Sequence, residues 1–83
     1  MKLVLVEWID INATRDWIDL ENIGDYCNPL YCRSVGWITC QKNGHIIITP
    51  HIGGEKNGDV VVHGKGSLII PEKVIIKKTI LKK

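Results

Sequence analysis

The most reactive side chains in this sequence are three cysteines, Cys27, Cys32 and Cys40, and three histidines, His45, His51 and His63. Cys27, Cys32, Cys40 and His45 supply four possible zinc ligands. Structural zinc sites draw their cysteines in closer pairs, usually two to four residues apart. Cys32 and Cys40 also fall on one expected strand, where eight residues of extended chain separate them by ~25 Å. No metal site is expected. A thiol nucleophile needs a histidine beside it and an oxyanion donor, and nothing in the spacing brings a histidine to a cysteine. Asp16 and Asp19 form a carboxylate pair, but they flank an expected helix start, where an acid has a capping role. The sequence is therefore read as non-enzymatic, with no catalytic residues and no cofactor.

Two stretches have the chemistry of binding. In His63-Gly64-Lys65-Gly66-Ser67 the glycines let backbone N–H groups approach an anion, and Lys65 adds charge. The stretch lacks the length of a P-loop, and no helix pattern follows it. A sharp bend that needs two glycines is the other reading. Trp17 follows a polar loop that carries Arg15, and a ring beside a guanidinium can hold a base and its phosphate. Trp17 can equally cap a barrel end or anchor a subunit interface. Arg15, Trp17, His63 and Lys65 are the candidate ligand-binding residues, on loops 10–18 and 63–67. Trp8 and Trp37 sit in strand patterns and are expected in the core.

The elements that must position these groups are mostly strands. Ile and Val together supply 21 of the 83 residues, and β-branched side chains suit a pleated sheet. A first strand is expected over residues 2–9, with Val4, Val6 and Trp8 on one face. Asp19 then opens a short helix through Leu20, Ile23 and Tyr26. Further strands are expected at 30–41 and 45–52, joined by Asn43-Gly44, a pair suited to the positive φ of a type I′ hairpin turn. Pro50 bends the third strand or confines it to an edge. A fourth strand spans 59–70, broken near Gly64 and Gly66, and a fifth spans 74–81 with imperfect alternation. The expected fold is mostly β with one short helix, a single 1–83 domain built as a small five-strand SH3-like or Sm-like barrel. An open antiparallel sheet covered by the helix is the alternative.

Charge is distributed unevenly along the chain. Six of nine acids precede residue 27, whereas five lysines fall in the last eleven residues. The lysines protect a strand edge, meet the acidic end of another copy, or face a phosphate-rich ligand. A thin core favours homo-oligomerisation. The odd cysteine count fits reduced thiols. The apolar opening 3–6 is too short for a secretory segment, and no run reaches the ~18 apolar residues of a membrane span. A soluble, cytoplasmic protein is expected.

Val6-Glu7-Trp8-Ile9-Asp10, the lone Trp17, the acidic short helix, Ser34-Val35-Gly36-Trp37-Ile38 and Ile70-Pro71 together form a pattern. It resembles a family of small phage- and prophage-encoded proteins over nearly the whole chain. The chain departs from that pattern at Cys27-Asn28-Pro29-Leu30-Tyr31-Cys32 and in a longer Gly-rich loop after Ile52. The resemblance implies an accessory protein acting inside a bacterial host, by stoichiometric binding and with counter-defence as a frequent role. The expected activity is sequestration of a small nucleotide-like ligand, such as an immune signal. Docking onto a host protein is the alternative. Nucleic acid is a less favoured partner, given the weak net charge of +2 and few interleaved aromatic and basic residues.

Overall fold

The computed structural model describes residues 1–10, 17–26, 28–55 and 60–83. Seven strands run through them: β1 (Leu3–Asp10), β2 (Leu30–Lys42), β3 (His45–Thr49), β4 (His51–Gly54), β5 (Val61–Lys65), β6 (Leu68–Pro71) and β7 (Ile75–Lys82). A 3-10 helix covers Leu20–Tyr26, and a second, Glu72–Val74, precedes β7. Among the described residues no helix is long and apolar enough to cross a membrane.

The strands make one antiparallel sheet in the order β6-β3-β2-β1-β7 and a separate two-stranded ladder, β4-β5. Each of the third and fourth expected strands is thus two strands. Pro50 cannot donate to a ladder and parts β3 from β4; Gly66, at φ +77°, parts β5 from β6. The β4-β5 ladder is the continuation of the β3-β6 hairpin beyond those two breaks, and it leaves the sheet as an arm. The β2-β3 turn is as expected: Asn43 and Gly44 both have positive φ, 54° and 73°.

Chain geometry requires the sheet to fold over itself. β6 ends at Pro71, opposite His45 at one end of β2, whereas β7 begins at Ile75, beside Trp8 and hence Cys32 near the other end. Only the 3-10 turn joins them, a step of at most ~14 Å. A straight strand from Cys32 to Lys42 would cover ~33 Å. β2 must therefore bend, and its pairing with β3 shifts register between Ile38 and Cys40. The Glu72 N–H donates to the Gly44 carbonyl at 2.9 Å, pinning the connection to the hairpin tip. β6 and β7 remain the two edges of the five-stranded ladder.

The fold-over brings Val4 and Val6 of β1 against Ile46 and Ile48 of β3 and Ile70 of β6. Trp8, Ile38, Leu68, Val74 and Ile75 pack around them, half-buried. The alternation of β1 and β3 sets this core, since every second side chain points inward.

At the root of the arm, Thr49 is 1% exposed and held from several sides. Its hydroxyl lies 2.9 Å from that of Thr39 and 2.9 Å from that of Ser67, while Thr39 donates to the Ile47 carbonyl at 3.3 Å. Each hydroxyl has one hydrogen, so the relay runs from Ser67 to Thr49 to Thr39 to a backbone carbonyl. Glycines make room for it. A Cβ on Gly36 would lie 3.1 Å from the Thr49 backbone, and one on Gly64 would lie 2.7 Å from the Thr49 Cγ2. Gly64→Ala is expected to cost about 1–3 kcal/mol by overpacking, a fall in Tm of several degrees for a domain this size. Adding Thr49→Ser, which removes the obstructing methyl, should recover part of that loss. Additive effects in thermal melts of the single and double variants would refute the contact.

Candidate aromatic and cationic groove

The elements deliver the expected ligand-binding residues to different places. Trp17 stands before the first 3-10 helix, wholly in solvent with 104% exposure. His63 and Lys65 lie on β5, two residues apart and therefore on one side of the arm, with Lys65 opposite His51. Both are exposed. Gly64 between them serves the close approach to Thr49, and Gly66 turns the chain. Arg15 and Asp16 lie outside the described residues, as does Cys27. Cys32 and Cys40 are half-buried free thiols. Among the described residues no three His, Cys, Asp or Glu side chains converge on a metal site.

A different set of residues converges where β7 meets β1. Opposite Glu7 stand Arg33 on β2 and Lys77 on β7, one cross-strand row of alternating charge. Arg33 Nε is 3.3 Å from Glu7 Oε1. The next position inserts an extra residue into β7: Glu7 faces Lys77 but Trp8 faces Ile75, so Ile76 is bulged out of the ladder. Bulges re-aim side chains and recur beside binding sites. Here the bulge opens a groove of about 610 Å³ walled by Trp8, Tyr31, Cys32 and Ile76 and rimmed by Glu7, Arg33 and Lys77.

The side chains of the groove have distinct duties. The Trp8 indole N–H donates to Ser34 Oγ at 3.0 Å, which fixes the ring where it both packs on the core and lines the groove. Tyr31 is largely exposed. Arg33 is 78% exposed and engages Glu7 through Nε, so its guanidinium faces water with its charge partly balanced. Together the groove offers aromatic surface beside two cations, a combination suited to a planar ring carrying an anionic group. Its volume is in the range of small-molecule sites.

A second hollow, about 330 Å³, lies in the crook of the arm and is lined by Thr39, Thr49, Ser67, Ile52, Val62 and His63. Its hydroxyls are already consumed by the relay that holds the arm. It is the lesser candidate.

Compared with family models, curated proteins and solved structures, the chain matches none.

Trp8 packs against the core as its strand pattern implied and also lines the groove; sequence reasoning did not single out Tyr31, Arg33 or Lys77. The imperfect alternation of the last strand was the one trace of the bulge that assembles them. Because the Arg33 end of the ion pair is 78% exposed, with Glu7 at 29%, the pair contributes only about 1 kcal/mol or less. Glu7→Gln is therefore expected to shift the midpoint of urea unfolding only slightly while making the groove more cationic. A loss of several kcal/mol in that titration would show that the pair holds the fold together.

Proposed function

We infer that this chain is a non-catalytic binding module that sequesters a small nucleotide-like ligand in the groove between Trp8, Tyr31, Arg33 and Lys77. The observation that carries the reading is that Trp8, Tyr31, Arg33 and Lys77 line one hollow of small-molecule size. A base stacks on the exposed Tyr31 ring against the Trp8 wall of the groove, and a phosphate takes the Arg33 and Lys77 charges. The architecture we assign is a small barrel of SH3-like or Sm-like type. The strand order supports it, since β7 returns beside β1 after a 3-10 turn, and so does the fold-over of β2. The role as a phage-type accessory protein with a counter-defence task inside a bacterium rests on the motif resemblance.

A second reading has its own observation. Tyr31 and Val35, four residues apart and so on one face of β2, are both exposed, which gives a host protein an apolar surface to dock against.

The test is isothermal titration with a panel of linear and cyclic nucleotides. Tyr31→Ala and Arg33→Ala, both at exposed positions, should each weaken binding at least tenfold. Trp17→Ala combined with Lys65→Ala should leave it unchanged. If the latter pair abolishes binding and the former do not, the site is on the loops and not in the groove. If no nucleotide binds and a stoichiometric bacterial protein is instead captured through Tyr31 and Val35, the docking reading replaces this one.

A further inference from the structure

The chain has more surface than its mass requires. A compact protein of 9.4 kDa exposes about 5,000 Å², and this one exposes 6875 Å². The excess is on the order of 1,900 Å² for one chain, more than the ~800 Å² that each partner contributes to a standard interface. The radius of gyration agrees: 16.7 Å, against about 12 Å for a compact chain of this length.

Two regions of that surface are apolar and opposite in charge. The first is the segment 17–25, where Trp17, Leu20 at 81% exposure and Ile23 project from the molecule. Asp19, Glu21 and Asp25 alternate with them, all exposed. The second is β7, whose free flank is one edge of the sheet. It presents Ile76 at 58%, Leu81 at 51% and Ile80, interspersed with exposed Lys77, Lys78, Lys82 and Lys83.

Charge decides what can cover each of them. Lysines along β7 oppose its pairing with a second β7, and the acids likewise keep two 17–25 segments apart. Like charge disfavours either region meeting its own kind, and opposite charge favours their meeting each other. Within one chain the named residues of both are exposed. We propose that the acidic segment 17–25 of one copy docks on the lysine-bearing edge β7 of a second copy, with the reciprocal contact closing a two-fold dimer. A two-fold axis makes the exchange mutual, so both regions are covered on both chains. Trp17, Leu20 and Ile23 supply the apolar anchors, and the acid–lysine pairs at the rim set orientation and partner choice.

The experiment is sedimentation equilibrium on two charge-reversed variants and their mixture. One carries Asp19→Lys, Glu21→Lys and Asp25→Lys; the other carries Lys78→Glu, Lys82→Glu and Lys83→Glu. Wild type should be dimeric at low salt and dissociate as salt shortens the reach of the charges to about 3 Å near 1 M. Each variant alone, folded by circular dichroism, should be monomeric, because its two regions now carry the same sign. Their equimolar mixture should restore the dimer, since each variant again meets an opposite partner. Leu20→Asp, at a position 81% exposed in the single chain, should weaken the wild-type dimer at least tenfold while leaving the circular dichroism unchanged. A monomeric wild type at low salt, dimers formed by either variant alone, or a mixture that stays monomeric would each overturn the proposal.

Discussion

Thr49 is the point on which the shape of this molecule turns. It ends β3 and precedes Pro50, the residue at which the hairpin leaves the sheet. Its backbone sits close over Gly36 of β2, its methyl over Gly64 of β5, and its hydroxyl links Thr39 of β2 to Ser67 ahead of β6. One buried residue thus touches both strands of the bend and the arm that departs from it. The relay explains why a polar side chain is tolerated there. Every hydroxyl is satisfied and the chain of bonds ends on a carbonyl, so burial carries no unpaired-group penalty. Among the described residues no buried side-chain nitrogen or oxygen lacks a partner.

The fold that hangs from this joint has a narrow interior. Among the described residues the fully buried apolar side chains are Val4, Val6, Ile46, Ile48 and Ile70. The remaining branched residues cannot all find room between the two halves of one bent sheet. They emerge on the outer face, on the arm and along β7. This follows from scale: a short chain has too little volume for its apolar surface. The groove and the apolar patches are two outcomes of that shortage, one where a bulge spreads the strands and one where no described residue overlies them.

Much of the local structure was legible in the sequence. The alternation of Val4, Val6 and Trp8 identified the inner face of β1, and Asn43-Gly44 located the hairpin by its need for positive φ. Pro50 and the glycines near 64–66 marked breaks, because their backbone chemistry acts locally. The arm was not legible. Whether a broken strand resumes in the same sheet or leaves it depends on what Thr49 touches, and Gly36 and Gly64 lie far from Thr49 in sequence. The groove was hidden for the same reason. Glu7, Tyr31, Arg33 and Lys77 come from three strands, and only the register fixed by the bulge at Ile76 sets them around one hollow. Trp17 stood out at once because no pattern covered it, and it stands wholly in solvent.

Edge β7 links these features to stability. It is held on one flank by β1 and enters from the 3-10 turn that Val74 tucks against the core. Fraying it would undo the wall of the groove at Ile76 and Lys77 and would expose Val4 and Val6, which form the β1 side of the core. Anything that binds β7 or the groove therefore binds the folded chain in preference to the unfolded one. Such binding raises stability in proportion to the logarithm of the partner's concentration. With so few buried side chains, a small increment from that source is a large share of the total. The incomplete interior and the exposed apolar surface thus have one origin, a chain too short to enclose its own branched side chains.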